Sequence, residues 1–146
     1  YSNLGTIISV SGADFLKSVG FTGLPLIIGF IVLTAFINIF IAVDSAKWAI
    51  MAPIFVPMFM RLGLSPELTQ CAYRIGDSAT NIIALLMPFF VLTVAFFQKY
   101  DKKAGIGSVI STMLPYSICF LLGWLVMFSV WYLLGLPLGP GSPMFY

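Results

Sequence analysis

The sequence predicts an all-α integral membrane chain built from a re-entrant helical hairpin, a broken transmembrane helix and a final transmembrane helix. Three observations predict it. Hydrophobic residues make up 60% of the 146 positions and charged residues 8%, with a mean hydropathy of +1.06; a soluble domain carries about 25% charged residues. The run Asp44-Ser45-Ala46-Lys47-Trp48 separates two apolar arms, Leu24 to Val43 and Ala49 to Met60, neither of which holds a formal charge. A second polar run, Asp77-Ser78-Ala79-Thr80-Asn81, follows Arg74 and leads into Ile82 to Phe97, which is apolar apart from Thr93.

Residues 1–23 mix apolar with small polar side chains, and Gly12, Gly20 and Gly23 weaken them as a spanning helix. They are expected to form a connector or an interfacial amphipathic segment. Residues 24–62 are the expected hairpin. Pro25 suits a first helical turn, where its missing N–H leaves no hydrogen bond unmade. The second arm, Trp48 to Arg61, is shorter than the roughly 20 residues a full crossing needs. It contains Pro53 and Pro57, so it is expected to be bent or partly non-helical. Two such arms meeting at aspartate, serine and lysine resemble a hairpin that dips into the bilayer and returns. Non-helical backbone at that depth survives only beside protein or a water-filled cavity, which makes the tip a binding-site candidate.

The turn Gly63-Leu64-Ser65-Pro66-Glu67 starts the next helix, with Ser65 as N-cap, Pro66 in the first position and Glu67 in the first turn. Residues 65–98 are too long for one straight span. Their polar middle and Pro88 predict two half-helices with a break around 79–87, an arrangement that places helix ends at the membrane midplane. Lys99, Lys102 and Lys103 make 98–103 the most basic loop, expected in the cytoplasm. Residues 104–135 form the last span, tilted or kinked at Pro115 and Gly123, with Trp131 and Tyr132 in an interfacial belt. Residues 136–146, rich in Pro and Gly, are an irregular tail on the opposite side. The two polar breaks resemble one half of an inverted-repeat transporter. The chain is therefore expected to be the C-terminal portion of a longer protein whose N-terminal part supplies the facing helices.

Composition also excludes. A dispersed net charge of +2 gives no reason to expect nucleic acid, and the absence of histidine removes the commonest general base and metal ligand. Cys71 and Cys119 lack metal spacing and are expected to be buried thiols. With no Ser-His-Asp, metal-protease or phosphate-loop pattern, an enzyme is not expected.

Arg74, Asp77 and Asn81 are spaced three and four apart, which sets Asp77 beside both on a helix. Ionisable residues within a membrane mark functional sites by default; the alternative is an Arg74–Asp77 pair that holds a bundle together. Asp77 and Asn81 offer the oxygens a hard cation such as sodium requires, and Asn38 is placed to complete the shell. At the tip, Ser45 and Lys47 suit an anionic substrate near a helix N-terminus, although Lys47 can instead neutralise Asp44. Trp48 stacks on an aromatic ligand or simply packs.

At these residues the chain resembles the p-aminobenzoyl-glutamate transporter family of the wider ion-transporter superfamily. The runs that carry the resemblance are SNLGTI at 2–7, LTAFIN at 33–38, SAKWAIMAPIFVPMFM at 45–60, LSPELTQCAYRIGDS at 64–78, QKYDKKAGIG at 98–107, LPYS at 114–117 and LLGLPLGPG at 133–141. The resemblance implies a homodimer of multi-pass subunits in the bacterial inner membrane, an antiporter or symporter that takes up p-aminobenzoyl-glutamate or exports p-aminobenzoate-like antimetabolites such as sulfonamides, driven by the gradient of a cation, sodium or proton. It implies Asn38, Asp77 and Asn81 near the cation, and Ser45, Trp48, Pro66 and Arg74 along the substrate path. Two departures stand out. Ala42-Val43-Asp44 replaces Gly-Ser-Ala at the tip, and Ala84-Leu85 replaces Thr-Pro in the broken helix. No organic cofactor is implied; the partners are membrane lipid, a small anionic aromatic substrate and the rest of the same protein. The rival expectations are a sodium-coupled dicarboxylate or citrate carrier of the same architecture and a small membrane scaffold that transports nothing.

Overall fold

The computed structural model describes residues 4–41 and 43–145; the first three residues of the expected connector, Ala42 at the tip and Tyr146 of the tail lie outside it. Six α-helices follow in order: α1 Leu4–Ser18, α2 Leu24–Phe40, α3 Asp44–Arg61, α4 Pro66–Thr80, α5 Pro88–Tyr100 and α6 Ile106–Leu133, with a short 3-10 turn at Asn81–Ile83. The chain is all-helical among the described residues apart from two isolated bridges in the tail.

Helices α2 and α3 form a helix–turn–helix. Phe30 meets Phe55 and Phe59 with ring centroids 4.8 and 5.0 Å apart. These residues stand at similar distances from the turn, so the arms run back alongside each other. Helix α4 lies chiefly across α2, and α1 lies along α3. The expected connector thus contains a 15-residue helix whose Ala13 joins the common core with Ile27, Ile31, Met51, Phe59 and Leu68.

Small residues let α2 and α4 approach closely. A Cβ at Gly76 would collide with the Ile31 carbonyl and come within 3.0 Å of Thr34 Cβ and 3.1 Å of Ala35 N. Membrane helices associate through such small-residue contacts because lipid offers no hydrophobic drive between them.

The α3–α4 turn is built as the sequence predicts. Gly63 has φ +80, its N–H donates to Met60 O, and Leu64 N–H donates to Phe59 O, both at 3.0 Å. This is the paired hydrogen bonding of a Schellman stop, which needs a left-handed residue at that position. Ser65 then caps α4, its hydroxyl accepting from Leu68 N–H at 3.2 Å.

Helix α3 is continuous through Pro53 and Pro57, so the arm is helical throughout rather than partly non-helical. The two prolines are one turn apart and both are exposed. The hydrogen bonds they remove therefore lie along one outer edge, away from the packed face. Between α4 and α5 the helix does break, at residues 81–87. Helix α6 spans 28 residues and is long and apolar enough to cross a membrane, with 11% of its most apolar window buried. At about 1.5 Å per residue it is about 42 Å long. Cys71 and Cys119 are free, and Cys119 is exposed on α6 rather than buried.

The tail is ordered rather than simply irregular. Leu64 and Phe145 form a bridge, Ser65 N–H donates to Met144 O at 3.1 Å, and Met144 is buried in the core.

Candidate functional site

The polar centre lies where the tip of α2–α3 meets the last turn of α4. Lys47, Asp77 and Asn38 are each at most 1% exposed. The Lys47 ammonium donates to Asp77 Oδ1 and to Asn38 Oδ1. Asn38 Nδ2 in turn faces three acceptors: Asp77 O at 2.9 Å, Thr80 Oγ1 at 3.0 Å and Asn81 Oδ1 at 2.7 Å. Exchanging the amide's nitrogen and oxygen would set donors against the ammonium, so the network fixes its orientation. Thr80 Oγ1 donates back to Gly76 O at 3.0 Å. From α6, Ser117 Oγ donates to Ala79 O at 2.7 Å. Two of the carbonyls that α4 leaves unpaired at its end are thereby taken up by side chains of α2 and α6.

Beside this centre opens a cleft of about 570 Å³, lined by Asp44, Ser45, Trp48, Gln70, Tyr73 and Arg74. That volume falls in the range of small-molecule sites. Trp48 and Tyr73 pack with ring centroids 4.7 Å apart, and the Tyr73 hydroxyl donates to the Asp44 carbonyl at 2.9 Å. Helical periodicity separates the two environments. Asp44, Ser45 and Trp48 share one side of α3, whereas Lys47 falls on the side of buried Met51 and Met58. On α4, Gln70, Arg74 and Ser78 form an exposed stripe, and Tyr73, Asp77 and Thr80 a buried one.

The structure therefore divides the expected site residues. Ser45, Trp48 and Arg74 line the cleft; Asn38, Asp77 and Asn81 join the buried network. Lys47, expected to face substrate, is instead sealed against Asp77 and does not line the cleft. Pro66 begins α4 and lines neither. Among the described residues Lys47–Asp77 is the one ion pair, so the Arg74–Asp77 and Lys47–Asp44 pairings are not made. The oxygens expected to hold a cation, Asp77 Oδ1 and Asn81 Oδ1, accept from Lys47 and Asn38. No group of three or more His, Cys, Asp or Glu side chains gathers among the described residues. Sequence reasoning had Thr80 among the oxygens around Asp77 and missed Gln70, Tyr73 and Ser117. The spacing Tyr73–Asp77, one helical turn, was the available signal for one of them.

Residues 1–146 all match the AbgT transporter family. The chain belongs to that family. Among AbgT relatives, the p-aminobenzoyl-glutamate transport protein of Escherichia coli K12 is 46% identical over 141 residues. That match covers 97% of this chain and 28% of the relative, so the chain spans little more than a quarter of that protein's length. A crystal structure of the Alcanivorax borkumensis YdaH transporter is similar at 52% identity and a TM-score of 0.89, over 96% of this chain and 30% of the other. The Neisseria gonorrhoeae MtrF structure, from a class of antimetabolite efflux pumps, is similar at 55% identity and a TM-score of 0.83, over 97% and 28%. An all-helical membrane transporter fragment is consistent with all three. Its relatives are transporters rather than enzymes.

Proposed function

We propose that this chain is the substrate- and ion-handling C-terminal part of a cation-coupled secondary transporter for p-aminobenzoyl-glutamate or related p-aminobenzoate-like antimetabolites, sulfonamides included. It would work in the bacterial inner membrane, joined to an N-terminal part of the same protein and assembled as a homodimer. Helices α2 and α3 would form a re-entrant hairpin, with the lysine loop at 98–103 cytoplasmic. The names of the E. coli and N. gonorrhoeae relatives favour an aromatic amide over a dicarboxylate.

One observation carries the coupling mechanism: the turn that buries Lys47 on Asp77 also presents Ser45 and Trp48 to the cleft. The oxygens of Asp77, Asn38 and Asn81 suit a monovalent cation, sodium or proton, only in exchange with the ammonium that now holds two of them. When the cation takes Asp77, Lys47 must leave, and residues 44–48 move with it. Ser45, Trp48 and Arg74 would then close on or release an anionic aromatic substrate.

Asp77→Asn in the full-length protein tests this reading. In proteoliposomes, gradient-driven transport is expected to fall at least about ten-fold, as loss of one charge-assisted contact at the coupling site requires. Transport that stays at the wild-type rate and still follows the ion gradient would show that Asp77 does not couple.

A further inference from the structure

Helices α5 and α6 meet at the lysine loop and leave a groove between them. Phe96, Phe97 and Tyr100 of α5 and Ser108 and Thr112 of α6 line it, and its volume is about 490 Å³. The three aromatic side chains fall within one turn on neighbouring positions of a helix face. Among the α5 side chains described, Phe90 alone is buried, so the helix touches the core near its start and then stands away from it. The mouth of the groove is basic. Lys102 and Lys103 lie between Asp101 and Ala104, which also line the groove, and Lys99 directly precedes Tyr100. All three lysines are exposed, and none makes an ion pair among the described residues. Asp101 is the acidic residue of the loop, and its Oδ1 accepts from the Lys103 backbone N–H at 2.9 Å. Gln98 Nε2 donates to Ala104 O at 3.1 Å and closes the turn. The loop thus holds its shape without using its ammonium groups, and three of them against one carboxylate leave it positive.

We infer that the α5–α6 groove is a binding site for an anionic phospholipid. Its acyl chain lies against Phe96, Phe97 and Tyr100, and its phosphate is held by Lys99, Lys102 and Lys103. An apolar slot with a positive end complements a molecule that is apolar along its length and negative at one end. A protein segment in the same slot would have to bring its own acidic residues to meet the lysines; an anionic lipid carries both parts in one molecule. Basic groups beside a membrane span attract anionic headgroups, and long lysine stems let each ammonium reach the phosphate from the loop. The bound lipid braces α5, the half-helix that follows the break after the polar centre.

The test titrates the purified full-length protein with phosphatidylglycerol and with phosphatidylcholine of the same acyl chains, read by native mass spectrometry. Wild type should bind phosphatidylglycerol roughly ten-fold or more tightly than phosphatidylcholine, because each lysine near the headgroup adds attraction. The triple variant Lys99→Gln, Lys102→Gln, Lys103→Gln should reduce that ratio to about two-fold. Thr112→Trp fills the groove from an exposed position on α6; it should weaken both lipids at least about ten-fold and leave their ratio standing. Each ratio is taken within one variant, so a partly misfolded preparation does not imitate the effect. A ratio that survives the triple variant overturns the site. Binding untouched by Thr112→Trp means that the loop only attracts a charged lipid surface, which overturns the groove. A map of the full-length protein in phosphatidylglycerol nanodiscs decides what fills the slot. Chain-shaped density along Phe97 and Tyr100 is expected, and polypeptide from the N-terminal part in that place overturns the proposal.

Discussion

Lys47 shows how one side chain can bind two elements and hold a functional centre closed. Its ammonium is 1% exposed and lies on Asp77 and Asn38, 5.5 Å from the Tyr73 ring centroid. Removing one partner of a buried pair leaves an uncompensated charge and costs about 3–5 kcal/mol. Lys47→Met is therefore expected to lower the stability of the full-length protein in detergent by that order, read as a reduced melting temperature. Lys47→Met combined with Asp77→Asn should recover part of the loss, because no unpaired charge then remains. A double variant no more stable than the single one would mean that Lys47 stabilises by packing alone. Asp77, Asn81 and Asn38 were legible in the sequence as one polar group because their spacing and isolation in apolar sequence point inward. The partner of Asp77 was not. Treated as a loop tip, residues 44–48 have no defined facing, so Lys47 and Ser45 looked equivalent. Once they form the first turn of α3, roughly 100° per residue sends them to different sides.

Among the elements, the α2–α4 crossing decides where the polar centre sits. Gly76 lies one residue before Asp77, and its missing side chain is what brings α4 against the Ile31 carbonyl. Gly76→Ala forces the helices apart at that point, an overpacking change of about 1–3 kcal/mol. The expected result is a destabilised full-length protein whose transport falls further than that of Gly107→Ala, where a Cβ meets nothing within 4 Å. Equal behaviour of the two variants would show that the close crossing does not position Asp77. The break between α4 and α5 was legible because a polar run leads into it and Pro88 follows it. Continuity of α3 was not, since two prolines in isolation read as an interruption of the helix. Their effect depends on which edge of the helix they occupy, and only packing reveals that.

Taken as a whole, the chain covers much of its length with apolar surface. Phe36, Phe40, Phe89, Val91, Phe96 and Leu133 are all well exposed, as a lipid-facing or partner-facing surface requires. Polar side chains at membrane depth require a surrounding cavity, and this chain spans 28% of the length of its E. coli relative. Residues 1–146 expressed alone in membranes should therefore be cut by added protease near 41–48, whereas the full-length protein should resist at the same site. Equal resistance would show that the fragment closes its own tip. The class of the molecule was plain from composition and the relatives agree with it. The order of its tail was not, because the Met144 and Phe145 contacts join residues some eighty positions apart and no local pattern encodes them.

That tail has a practical consequence. Phe145 is bridged to Leu64 in the turn between α3 and α4, and its ring lies 5.6 Å from that of Tyr132 on α6. Phe145 is thus a natural handle on the joint between α3 and α4. A spin label or fluorophore at position 145, paired with a second on α6, would register any rocking of the hairpin shaft without touching the cleft. A much larger group at that position would act as a wedge in that joint, so bulky reporters belong on the loop at 98–103 instead.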